Sequence, residues 1–115
     1  TLEKFEEASE LVKKVTNSTK LVYSDYLSEQ SGGKVYLKPE NMQHTGAYKI
    51  RGAYYKISTL SDEERGRGLI TASAGNHAQG VAFAAKKFGC KGYTSYKSEP
   101  YKELRRGSDP ARRCL

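Results

Sequence analysis

Two stretches of this sequence hold residue types that could do chemistry. The first is TGAYKIRG, residues 45–52. Thr45 and Gly46 read as the start of a helix whose apolar stripe is Ile50, Ala53, Tyr54 and Ile57, which puts Lys49 in or near the first turn. A helix N-terminus carries partial positive charge and disfavours a cation. An amine held there without its proton is a nucleophile and can form a Schiff base with a carbonyl compound. Periodicity alone leaves open an ordinary helix lysine whose ammonium reaches water. The second stretch is ITASAGNHAQGVA, residues 70–82. A short apolar strand ends in a small-residue turn, where Gly75 lets a ligand approach the backbone, and a helix starts at once. Such a terminus offers free N–H groups to a carboxylate or phosphate, with the Asn76 amide beside them. A tight turn with an Asn or Ser cap is the equally open alternative.

Other chemistries are poorly supported. The turn at residues 73–76 matches neither the P-loop nor the dinucleotide spacing, which argues against ATP and NAD. His44 and His77 lie far apart with no nearby Cys or carboxylate pattern, so no metal site is expected. Ser31 and Ser73 lack a His/Asp partner, and Ser73 reads as a turn or anion-binding residue. Cys90 and Cys114 have no metal-ligand spacing and no support as a disulfide. The tyrosines read as amphipathic packing rather than as a stacking platform for bases.

The elements that must position Lys49 and Asn76 follow from periodicity and caps. Leu2, Phe5, Ala8, Leu11, Val12 and Val15 predict an amphipathic helix over residues 2–16. A mixed loop then leads to a short helix over 24–30, ended by Gly32 and Gly33. Residues 34–38 alternate as a strand and stop at Pro39. Ser61 and Glu64 have capping-box spacing and open one helical turn. Residues 68–72 form a short apolar strand. HAQGVAFAAKKF follows as a helix closed by Gly89. Strand and helix alternate, which is an α/β pattern.

Composition sets outer bounds. A chain of 115 residues is one domain or a piece of one, and 37% hydrophobic residues is lean for a self-sufficient core. Mean hydropathy is −0.76. No apolar run nears the roughly 20 residues that span a membrane, and no signal-like N-terminal segment appears, so a cytoplasmic protein is expected. The first residue is Thr1 rather than Met, so further N-terminal chain is expected. The net charge of +7 is concentrated after residue 90, where seven Lys/Arg face three acids. That stretch, KGYTSYKSEPYKELRRGSDPARRCL, has no Val or Ile where a parallel strand should follow, and reads as a disordered or loosely attached tail.

Longer motifs add a resemblance. LKPENMQHTGAYKIRGAYYKI followed by ITASAGNHAQGVAFAAKKFG resembles the N-terminal part of threonine ammonia-lyase, a pyridoxal-phosphate enzyme of fold type II. The family's lysine motif, K-x-E-N-x-Q-x-T-G-S-F-K-x-R-G-A, is matched at Lys38, Glu40, Asn41, Gln43, Thr45, Gly46, Lys49, Arg51, Gly52 and Ala53. Ala47 and Tyr48 stand for its Ser and Phe. The family's asparagine loop, S-x-G-N-H-A-Q-G, is matched from Ser73 to Gly80. The resemblance covers about residues 1–91 and leaves 92–115 as a basic tail unlike the family. It implies part of a three-layer, open parallel-sheet domain, incomplete in this chain.

The resemblance also implies roles. Lys49 would bind pyridoxal 5′-phosphate covalently and later take the Cα proton of L-threonine, giving 2-oxobutanoate and ammonium. Tyr48 would shape the cofactor pocket, and Asn76 would hydrogen-bond the cofactor's phenolic oxygen. Ser73, Ala74, Gly75 and His77 would bind the substrate carboxylate. A small amino acid is the expected partner, with homo-oligomers as in the family, a place in isoleucine biosynthesis, and neither a membrane nor nucleic acid involved. Serine dehydratase or racemase is the alternative within the same chemistry. A non-catalytic product with a basic interaction tail is the alternative outside it. The family's glycine-rich phosphate loop has no counterpart in this sequence, so weak cofactor binding and little activity are expected of the chain alone. A single inserted base after the Lys91 codon would produce the switch to an unfamiliar tail, as would an alternative exon or a truncation.

Overall fold

The computed structural model describes residues 1–95 and 102–103. Helix α1 spans Leu2–Lys13. It stops short of the expected residue 16 because the chain tightens at its end: the Val15 and Thr16 amides and the Thr16 hydroxyl all donate to the Val12 carbonyl. Of the helix's apolar stripe only Val12 is buried, while Leu2 and Phe5 face outward.

Strand β1, Val22–Tyr23, lies in the stretch read as a mixed loop. It pairs antiparallel with β2, Tyr36–Leu37, and the Tyr23 and Tyr36 rings meet edge to face at 5.2 Å. The strand expected over 34–38 is therefore two residues long, because its partner offers only two. Between them runs α2, Asp25–Ser31, opened by the Ser24 side chain accepting from the Leu27 amide and closed by Gly32 at φ 68°. A 3₁₀ turn, Glu40–Met42, leads on toward the lysine stretch.

Helix α3 spans Lys49–Ser58, so Thr45 and Gly46 lie outside it, contrary to the reading from sequence. Gly46 sits at φ 69°, a left-handed conformation no helix residue adopts, and its amide donates to the Gln43 carbonyl to close a turn. Lys49 is thus the helix's first residue. At the other end, Arg65 Nη1 donates to the carbonyls of Leu60 (2.6 Å), Ile57 (3.3 Å) and Ser58 (3.4 Å). A guanidinium there matches the negative end of the macrodipole. Arg65 belongs to α4, Asp62–Gly66, whose predicted capping box is complete: Ser61 and Glu64 each accept from the other's backbone amide.

Strand β3, Leu69–Thr71, is followed by α5, Asn76–Phe88, which Gly89 closes at φ 66°. A break was expected after Lys91, yet Gly92–Thr94 form β4, parallel to β3 with Leu69 opposite Gly92. The Leu69 amide donates to the Lys91 carbonyl and the Ser95 amide to the Thr71 carbonyl, so backbone bonding carries this strand where its side chains gave no apolar signal. Lys102–Glu103 form β5, antiparallel to β4. The rest of the expected tail lies outside the described residues. The parallel β3–β4 pair with α5 between them is the α/β unit the alternation predicts.

The core lies where α3, α5 and β3 meet. Ala53, Ile57, Leu69, Val81, Ala84 and Ala85 form one buried cluster, rimmed by Tyr54, Leu60, Phe88 and Cys90. Among the described residues no helix is long and apolar enough to cross a membrane.

Candidate functional site

The packing of α3 on α5 builds the site. A Cβ on Gly80 would lie 3.0 Å from the Lys49 carbonyl oxygen and 3.2 Å from the Ile50 nitrogen, so only glycine lets the two backbones approach this closely. Farther along, the Tyr54 and Phe88 rings stack at 5.0 Å. Lys49 meets Gly80 and Tyr54 meets Phe88, so both helices run in the same direction and their N-termini lie at the same end. That end also receives the turn leaving β3, at the carboxyl edge of the parallel pair, where open α/β sheets bind ligands.

Lys49 is half-buried, and its Nζ lies 5.2 Å from the centre of the exposed Tyr48 ring. The ring face offers electron density to the Lys49 ammonium. Neither α3 nor α5 has a side-chain cap at its start. Gly75 is the N-cap of α5, and Asn76, its first residue, is exposed one turn before Gly80 on the same helix face. Asn76 therefore rises from the face that presses on Lys49. Ser73 folds the turn: its Oγ accepts from the Gly75 amide at 3.3 Å, and its carbonyl accepts from Thr94 Oγ1 at 2.5 Å. Ala74, Gly75 and His77 are exposed beside it. The sequence-predicted residues thus fall into two groups, Tyr48–Lys49 and 73–77, gathered at one end of the paired helices. Among the described residues no cluster of His, Cys, Asp or Glu could hold a metal.

Sequence reasoning gave no role to the polar group that braces the far side of α3. Arg51 Nε and Nη2 each donate to a Glu40 carboxylate oxygen at 2.8 Å, a two-pronged ion pair. Thr19 Oγ1 donates to the same carboxylate at 2.5 Å, and Lys38 Nζ donates to the Thr19 carbonyl. The Arg51 guanidinium holds the Glu40 carboxyl far below its ordinary value, to about 2, against the opposing effect of burial. Nearby, the Gln43 side chain accepts from the Asn17 amide and donates to the Asn17 carbonyl, at 3.0 and 2.9 Å. Lys38, Glu40, Gln43 and Arg51 all lie within the lysine motif, so the signal was present. Nothing in sequence marked Thr19 and Asn17 as their partners.

The fold is thus an α/β unit in which Lys49 opens one helix beside the uncapped start of a second. Residues 12–105 match the family described as pyridoxal-phosphate dependent enzyme, and the chain belongs to that family. It is 61% identical over 89 residues to the L-threonine ammonia-lyase of Thermotoga maritima, covering 77% of this chain and 22% of that protein. It is 54% identical over 82 residues to the biosynthetic L-threonine dehydratase IlvA of Lactococcus lactis, covering 71% and 20%. Among solved structures, the processed form of threonine deaminase isoform 2 from Solanum lycopersicum matches with TM-score 0.73 and 37% identity, over 87% of this chain and 29% of that one. Serine racemase from Dictyostelium discoideum matches with TM-score 0.80 and 34% identity, over 86% and 33%. The chain spans about a fifth to a quarter of the length of the curated relatives it matches.

Proposed function

We propose that this chain carries the lysine-bearing part of a pyridoxal-phosphate-dependent threonine ammonia-lyase. The observation that supports it most is the joining of two helix starts, Lys49 on one and Asn76 on the other, by the contact at Gly80. The donor set fits one end of the cofactor. A primary amine suits its aldehyde, an exposed carboxamide suits its ring hydroxyl, and uncapped N–H groups at residues 76 and 77 suit a substrate carboxylate. The sequence has no Gly-Gly-Gly run, so no phosphate cradle is assigned. When bound, the cofactor supplies an electron sink for a carbanion at the substrate Cα.

In this reading Lys49 Nζ would hold the cofactor through its aldehyde, and as a free amine it would accept the Cα proton of threonine. Tyr48 gives the Lys49 ammonium a ring face to rest on while it holds that proton. Ser73 shapes the turn by taking up the Gly75 amide, which leaves the backbone N–H groups from Asn76 onward to face a carboxylate. The reading brings with it release of 2-oxobutanoate and ammonium, a role in isoleucine biosynthesis, a cytoplasmic location and homo-oligomers.

The test is to incubate the chain with pyridoxal phosphate, reduce with borohydride and map the modified peptide. Label concentrated at Lys49, and absent in Lys49→Ala, supports the reading. Even labelling over the surface lysines sinks it. The likeness to serine racemase favours one second reading, serine dehydration or racemisation, and a threonine–serine substrate panel separates the two.

A further inference from the structure

Lys49 gets its place from both sides. On one side the Gly80 contact fixes its carbonyl against α5. On the other, Arg51 sits two positions along the same first turn, which carries its side chain about 200° around the helix from that of Lys49. There it meets Glu40 with both prongs, and Thr19 and Lys38 extend the group to the segment before β1. Thr19 is 5% exposed, and the side chains of Glu40 and Arg51 are 17% and 35% exposed. A pair this well aligned and largely withdrawn from water holds geometry better than an exposed one. None of these groups touches Lys49 Nζ, so their effect on it passes through the backbone of α3.

We propose that Glu40 and Arg51 are positioning residues for Lys49: their ion pair, bridged by Thr19, pins the first turn of α3 so that Nζ meets a carbonyl carbon at one fixed approach. The proposal rests on the reading of Lys49 as the carbonyl-binding lysine. Covalent steps lose steeply in rate when a reacting atom is misplaced by about an ångström. A loosened first turn therefore costs reactivity at Lys49 while leaving the fold in place.

The experiment compares Lys49 with Lys56, an exposed lysine farther along the same helix. The full chain and the variants Glu40→Gln, Arg51→Lys, Arg51→Ala and Thr19→Val are labelled with two probes at a temperature where circular dichroism finds them folded. One probe is pyridoxal phosphate followed by borohydride; the other is acetic anhydride, which requires no cofactor site. The expected result is a fall of about tenfold in the Lys49-to-Lys56 label ratio with pyridoxal phosphate in Glu40→Gln and Arg51→Ala. Arg51→Lys, which keeps the charge but loses the fork, and Thr19→Val fall in between. With acetic anhydride the ratio in the variants moves toward that of two equally exposed lysines.

A purely structural role would lower the melting midpoint and leave both ratios unchanged, and that result overturns the proposal. Should Arg51→Ala fail to fold, Glu40→Gln and Arg51→Lys decide the matter by the same ratios. Should the unaltered chain label evenly with pyridoxal phosphate while the variants still shift the acetylation ratio, the proposed function fails and takes the carbonyl approach with it, and only the pinning of the first turn stands.

Discussion

The helix starts of this molecule come in two kinds. α2 and α4 begin with a serine whose hydroxyl accepts a backbone amide, and α4 adds the reciprocal bond from Glu64. α1, α3 and α5 begin with no side-chain cap, and the starts of the last two meet beside Lys49 and Asn76. A cap occupies the amide groups that an incoming anion would use. Capped starts therefore serve the fold, whereas the paired starts of α3 and α5 lack a capping side chain and rely on outside bracing: Gly80 from α5, and the Glu40–Arg51 ion pair from the preceding loop.

If bracing replaces capping at the site, its removal should cost more than loss of a cap. Gly80→Val drives a branched side chain into the Lys49 carbonyl and should destabilise by about 3 kcal/mol or more in urea titration, with Gly80→Ala costing about 1–3. A Gly80→Ala protein as stable as the parent would break the comparison. Next comes acid. The Glu40 carboxyl is lowered from 4.5 to about 2 in the fold, so its stabilisation is complete above about pH 4.5 and lost as pH falls through 2. That contribution, on the order of 2 kcal/mol after allowing for solvent at Arg51, should vanish from the acid limb in Glu40→Gln.

Gly75→Asp turns an open start into a capped one. No atom lies within 4 Å of a Cβ at Gly75, so the carboxylate can be accommodated. Helix stability should hold or rise, while affinity for a small carboxylate, read by calorimetry, falls about tenfold as the new charge takes the site. Smallest is Ser61→Ala, which should cost about 1 kcal/mol in thermal melts and leave Lys49 labelling untouched. A change in labelling there would mean that the distant cap does reach the site.

What could be read from sequence follows the same division. Local signals were legible: the Ser61–Glu64 box, Gly89 closing α5, and the periodic stripes of α3 and α5 each depend on neighbours a few residues away. The lysine and asparagine motifs were legible as long strings, with the resemblance rather than the spacing supplying their roles. Partnerships across distance were not. β1 exists because Tyr36–Leu37 pair with it, and β4 because β3 offers a parallel edge, so neither needed an apolar signature of its own. The start of α3 was misjudged for a torsional reason, since Gly46 in the left-handed region closes a turn instead of opening a helix. Thr19, buried and bridging Glu40 and Arg51, looked like any loop threonine.

The contact at Gly80 works as a keyway as well as a close fit. α5 can sit against α3 only where its one notch meets the Lys49 carbonyl. A slip of one residue would bring the side chain of Gln79 or Val81 onto that oxygen. The same slip would shift Asn76 by about 1.5 Å along the axis and swing it about 100° off the shared face. The missing methyl at position 80 therefore indexes the asparagine against the lysine, and the spacing of four between Asn76 and Gly80 is as much a dimension of the site as any side chain in it.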